Sequence, residues 1–114
     1  MSMTFKTREV GGATIVDLSG KITLGEGGVT LRDEVRKLVG EGKKKIVLNL
    51  AEVNYIDSSG LGELVSAYTA VKNAGGELKL LNLTSKVRDL LVITKLVTVF
   101  DVKDDEAAAV ASFA

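Results

Sequence analysis

The sequence predicts an α/β fold built on a mixed sheet, with elements in the order β-β-α-β-α-β-α-β-α. Three observations carry the prediction. Short apolar or β-branched runs alternate with longer segments whose apolar residues recur at helical spacing, the pattern of strands handing over to helices. Gly11-Gly12 separates the first two runs by two residues able to adopt positive φ, which makes an antiparallel hairpin, whereas the later strands are joined through helices and become parallel neighbours. Twelve glycines and no proline punctuate the chain, so its turns are made by glycine.

Taken in order, Phe5–Val10 and Ala13–Leu18 are the hairpin strands, with Ile15, Val16 and Leu18 available to a core and Gly20 breaking the pattern. Gly25-Glu26-Gly27-Gly28 precedes a helix. It lacks the third glycine of a dinucleotide fingerprint, since Thr30 stands there, and the Lys-Ser/Thr pair of a P-loop, so it reads as a flexible connection. Thr30 is the expected N-cap of the first helix, with Asp33 and Glu34 in its first turn. Leu31, Val35, Leu38 and Val39 form its apolar stripe, and Gly40 or Gly42 ends it. Lys45–Leu50 is a nearly continuous apolar run, the mark of a buried central strand. A helix over about Ser59–Asn73 stops at Gly75-Gly76. Glu77–Leu83 follows as a strand, and Thr84 or Ser85 caps a short helix through Val87, Leu90 and Leu91. Val97–Val102 reads as the last strand, and Asp104 as the cap of an alanine-rich helix that includes Val110 and Phe113.

Composition narrows the chemistry. A chain of 114 residues suits a single domain over 1–114, and 46% hydrophobic residues argue against disorder. Fifteen basic and fifteen acidic residues leave a formal net charge of zero, so no general field attracts nucleic acid or an anionic membrane. The Lys43-Lys44-Lys45 triplet is short and lacks interleaved aromatics; a solvated loop explains it better than a nucleic-acid patch. The acidic run Asp104-Asp105-Glu106 is better explained by a helix cap than by a metal site. Cys and His are absent, which excludes disulfides, His- or Cys-ligated zinc and a Ser-His-Asp triad. No cofactor is implied. No stretch reads as a signal peptide or membrane span, so a soluble cytoplasmic protein without membrane insertion is expected.

Between the central strand and the next helix stands Asp57-Ser58-Ser59-Gly60. Backbone N–H groups at a helix start lack intrahelical partners and the dipole there favours negative charge, so a hydroxyl held at that point can carry a phosphate at low structural cost. As plain chemistry, Asp57, Ser58 and Ser59 all suit a helix cap, and of the two serines Ser59, nearer the helix, is the one expected to be more occupied as a cap. Gly60 and Gly62 suit close approach of backbone or of a partner. Leu61 fits an exposed hydrophobic contact or a core position equally well, while Tyr68 and Val71 read as core.

These residues carry a family resemblance. Ile46-Val47-Leu48-Asn49-Leu50, then Val53 and Tyr55-Ile56-Asp57-Ser58-Ser59-Gly60-Leu61-Gly62, resembles the signature of STAS domains, and within them is most similar to bacterial anti-sigma factor antagonists. The likeness extends over almost the whole chain, from the early hairpin to the terminal helix. It implies a STAS-like mixed β-sheet packed with helices, and a non-enzymatic partner-switching regulator. The antagonist binds an anti-sigma factor that is also a serine kinase with a histidine-kinase-like ATPase fold, and so frees the sigma factor. Phosphorylation of the serine after the motif aspartate releases it, and a PP2C-type phosphatase restores it. By this resemblance Ser58 is the phosphoacceptor, with Asp57, Ser59, Gly60, Leu61 and Gly62 as the surrounding motif and partner contact. Ser59 is the alternative acceptor. Gly25-Glu26-Gly27-Gly28 departs from better-known members, where that region helps form the partner surface. Two other readings stand beside this one: a STAS scaffold or adaptor in a stress-signalling or lipid-transport complex without phosphorylation turnover, and a hydrolase using a Ser-Lys pair, against which no lysine lies near the motif in sequence.

Overall fold

The computed structural model describes residues 3–23 and 26–113. Strands β1 (Thr4–Val10), β2 (Ala13–Ile22), β3 (Lys45–Ile56), β4 (Glu77–Leu81) and β5 (Asp101–Lys103) form one sheet, and they lie side by side in chain order. β1 and β2 are antiparallel; every later neighbouring pair is parallel. Gly11 and Gly12 make the hairpin turn with φ of 55° and 84°, angles that cost glycine little and other residues more.

Side-chain alternation divides the sheet into two faces. Val16 and Leu18, Ile46, Leu48 and Leu50, and Leu78 and Leu80 point to the larger core. There they meet Leu31, Val35 and Leu38 of α1 (Glu26–Gly40), Leu61, Leu64, Ala67 and Val71 of α2 (Ser58–Asn73), and Val87 and Leu91 of α3 (Ser85–Ile93). On the opposite face Ile15, Val47 and Leu81 pack with Ala109 of α4 (Glu106–Ala111), flanked by Val10, Val110 and Phe113. The first half of β3, Ile46–Leu50, reads as nearly continuously apolar because both its faces are covered in this way.

Polar groups on the α4 side are paired. The Arg8 guanidinium donates to both carboxylate oxygens of Asp17 (2.7 and 3.1 Å) and of Glu106 (3.0 and 2.6 Å), tying the hairpin to α4. It holds both carboxyls below the usual carboxylate range; Asn49, donating to Asp17 at 2.8 Å, adds to the effect there. Lys79, 7% exposed at its side chain, bonds Asp101 at 2.5 Å and has its ammonium 4.9 Å from the Phe113 ring centre.

Several boundaries differ from the sequence expectation. α1 starts at Glu26, not after Thr30, because Gly27 and Gly28 are helical; Gly25 lies outside the described residues. A Cβ at Gly27 would stand 2.1 Å from the Lys21 carbonyl oxygen, and one at Gly28 2.9 Å from that of Thr23. These glycines let the first turn of α1 rest against the end of β2, which a reading based on propensity mistakes for a loop. Gly20 does not end β2. It sits at φ 114° within the strand, beside an irregularity in the pairing with β3. β3 runs on to Ile56, since Glu52, Val53, Tyr55 and Ile56 pair with the extended end of β2. The last strand is shorter than Val97–Val102. Leu96, Val97 and Phe100 turn toward the core at helical spacing, so Leu96–Thr98 is a 3₁₀ turn, and Phe100 meets Tyr68 edge to face at 5.4 Å. Asp105, not Asp104, caps α4, accepting the Ala108 amide at 2.9 Å, and Phe113 follows the helix.

Candidate functional site

β3 ends at Ile56 and α2 begins at Ser58, so one residue makes the transition. Asp57 has φ −104° and ψ −179°, the extended backbone of an N-cap, and its carboxylate accepts the Gly60 amide at 2.7 Å. Its own amide donates to the Ile22 carbonyl at 3.3 Å, and its carbonyl accepts the Leu61 amide at 2.8 Å. The cap is therefore Asp57 and not Ser59. With the capping position filled by the aspartate, Ser58 and Ser59 occupy the first helical turn, and both are exposed.

The two motif glycines have different surroundings. Gly60 is buried, and a Cβ there would lie 1.9 Å from the Ile22 carbonyl oxygen. Backbone has to touch backbone at this point, so only glycine fits. Gly62, one half-turn further, is exposed, and a Cβ there would meet nothing within 4 Å; it has no close backbone neighbour. Leu61 is 6% exposed and belongs to the core with Ile22 and Ile56, which settles its role as packing. Val71 is fully buried and Tyr68 packs against the core from its edge.

Glu63, Arg32 and Val29, which the sequence did not single out for the site, complete the surroundings with Gly28 and Tyr55. Glu63 lies against Gly28, whose Cβ would stand 2.9 Å from the Glu63 Cγ, and its carboxylate is 3.8 Å from Arg32. The first turns of α1 and α2 are thus locked together at the same end of the sheet, both resting on the last residues of β2. Val29, on that turn of α1, is 38% exposed. On the other side Tyr55 is 44% exposed with the Lys21 ammonium 6.0 Å from its ring centre. Tyr55 and Ile56 form one wall of an open groove of about 290 Å³ completed by Lys86, Asp89, Leu90 and Ile93 of α3. The only available signal for Gly28 and Glu63 was the glycine pair itself, since their contact joins helices 35 residues apart in sequence.

Among the described residues no group of three or more Asp and Glu is placed to hold a metal ion, and no helix is long and apolar enough to cross a membrane. What the site presents is two exposed serines in the first turn of a helix, beside a capping carboxylate.

A five-stranded mixed sheet with helices on both faces, and two exposed serines at the turn from its central strand into a helix, make this a small α/β sheet domain. The STAS domain family model matches residues 4–109, and this chain belongs to that family. It is similar to an anti-sigma-B factor antagonist of Bacillus subtilis, 36% identical over 87 residues, covering 76% of this chain and 78% of the relative. In fold it matches the crystal structure of an anti-sigma factor antagonist from Mycobacterium paratuberculosis with a TM-score of 0.85 at 20% identity, covering 97% and 93% of the two chains. It matches the phosphorylated form of the Bacillus cell fate determinant SpoIIAA with a TM-score of 0.70 at 19% identity, covering 92% and 96%.

Proposed function

We propose that this chain is an anti-sigma factor antagonist working by partner switching, and that Ser58 is its switch. In the unmodified form it binds an anti-sigma factor, a serine kinase with an ATPase fold, and the sigma factor is freed. Phosphate on Ser58 ends that binding, and a PP2C-type phosphatase returns the chain to its active form. A kinase that takes its phosphate from ATP places this exchange in the cytoplasm. The chain serves as a kinase substrate and does no catalysis of its own. The observation that carries the reading is the exposed Ser58 at the first position of α2, next to the Asp57 cap, within a STAS chain.

The physical basis is local. Phosphorylation adds a charge of about −1.5 to −2 and three strong acceptor oxygens. The start of α2 supplies backbone N–H groups and the positive end of its dipole, so the fold tolerates the anion. Asp57 already commits its carboxylate to the Gly60 amide, so the phosphate arrives where a negative group is in place. The two together make the start of α2 strongly anionic where only one carboxylate stood before. A partner shaped to the hydroxyl then faces bulk, charge and uncompensated desolvation. About 2.8 kcal/mol of such penalty weakens binding a hundredfold, enough for a switch.

The test is transfer of radiolabelled phosphate from ATP by the ATPase-fold serine kinase of the same genome, followed by mass mapping. Label on Ser58, lost in Ser58→Ala, is the expected result, and Ser58→Ala should stay bound to the kinase. Label that persists in Ser58→Ala, or that maps to Ser59, would overturn the assignment. A chain that is never labelled would point to a scaffold without turnover.

A further inference from the structure

α3 turns Val87 and Leu91 into the core and ends on Ile93, which at 76% is the most exposed large hydrophobic side chain among the described residues. Single apolar side chains scattered over a surface are ordinary. This one belongs to a group: the exposed Tyr55, the half-buried Leu90 and the edge of Ile56 line the same open groove, so the four make one contiguous patch. A β-branched residue at the end of a short helix also lowers its propensity, and in water it gains no packing in return.

Charge on the rim narrows what covers the patch. Lys86 and Asp89 stand three residues apart on the groove side of α3, both exposed, and among the described residues neither side chain has an ion pair or hydrogen bond. By contrast, Arg88 of the same helix already has Asp104 at 3.3 Å. One short helix therefore carries a projecting apolar side chain, a groove, a cation and an anion. That set is complementary to itself.

We infer that this chain pairs with a second copy of itself across α3 and the Tyr55 groove, as a weak two-fold dimer. In such an interface residue i meets j while j meets i. With the two α3 helices antiparallel, Ile93 of each copy enters the other's groove beside Leu90 and Tyr55, and Lys86 of each comes to the partner's Asp89. A protein of another kind would have to supply both the apolar knob and the opposed charges, whereas a second copy carries them already. The formal net charge of zero leaves no overall repulsion between copies. One helix face is less than the roughly 800 Å² per partner of a standard interface, so the association is reversible and depends on concentration. The inference makes no use of the reading of Ser58.

Sedimentation equilibrium of the full chain from about 10 μM to about 1 mM tests it. Wild type should pass from monomer toward dimer across that range. Ile93→Asp should stay monomeric throughout, because its carboxylate would be buried without a partner. Lys86→Glu and Asp89→Lys should each weaken the dimer about fivefold or more, since each reversal acts twice across a two-fold axis. Combined in one chain they should restore association to within about twofold of wild type. Val99→Asp, at another exposed position outside this groove, should change nothing. The charge swap decides the matter should Ile93→Asp lose its fold. A wild-type chain that is monomeric at the top of the range overturns the inference. So does a dimer that survives Ile93→Asp, or a pair of single reversals that the double reversal fails to rescue. A monomer in which Ile93→Asp instead weakens binding to the kinase gives the groove to that protein and overturns the inference as well.

Discussion

At Gly60 the difference between hydrogen and methyl decides whether α2 can close onto β2. A Cβ 1.9 Å from a carbonyl oxygen cannot be relieved by a side-chain rotation, because the obstacle is the Ile22 backbone. Gly60→Ala should therefore destabilise by about 2 kcal/mol or more, in the upper part of the range for overpacking, read as a lower midpoint in urea at unchanged slope. Asp57 is smaller in effect: losing the cap bond to Gly60 should cost about 1 kcal/mol in Asp57→Ala and much less in Asp57→Asn, which can still accept that bond. Circular dichroism melts of the two variants would check the order. The sequence pointed to the whole Asp57–Gly62 segment but left the cap open among Asp57, Ser58 and Ser59. Asp, Ser and Ser are all good caps, and only the φ/ψ at the turn chooses between them.

Among the elements, α4 is held most by specific side chains. It has six residues, too few for a helix to be stable on its own. Its hold on the sheet comes from Ala109 over Ile15, Val47 and Leu81, and from the Arg8 fork between Asp17 and Glu106. The three charged side chains are 30–39% exposed, so solvent screens them and the fork is worth about 1 kcal/mol. Arg8→Ala should accordingly speed amide exchange in α4 about fivefold, while α2 exchanges as before; equal acceleration in both helices would show the fork to be a global support. The strand–helix alternation itself was legible, since hydrophobic period survives any tertiary context. The short β5 and the early start of α1 were not. Leu96, Val97 and Phe100 look like a strand by type, and Gly27 and Gly28 look like a loop, until the neighbouring elements are in place.

For the molecule as a whole, charge sets the response to acid. Asp17 and Glu106 are held low by bonding to Arg8, and Asp101 by bonding to Lys79. A carboxyl with a lowered folded-state pKa contributes stability that is complete above its unfolded value and is lost as pH falls through the folded one. Glu34 is the reverse: burial raises its pKa, so its contribution is largest when it is protonated and is lost as pH rises through its folded value. Thermal midpoints should therefore decline below the ordinary carboxylate range, and Arg8→Ala should flatten that decline by removing the cause of two of the low values. Glu34→Gln should raise the midpoint at neutral pH and leave it nearly unchanged in acid. A Glu34→Gln chain that is less stable at neutral pH would mean the carboxylate has a partner that its burial conceals.

The sequence alone determined the kind of fold, the parallel sheet after an opening hairpin, and the segment in which the site would lie. All of these follow from period, turn chemistry and local order, which a linear chain carries in itself. Tertiary structure decided what each motif residue does. Asp57 became the cap, Ser58 and Ser59 were left in solvent, Gly60 was pressed against β2, Leu61 was buried and Gly62 was left bare. Those roles depend on how far apart two backbones come to rest, and that distance exists only once the β2 end, α1 and α2 have met.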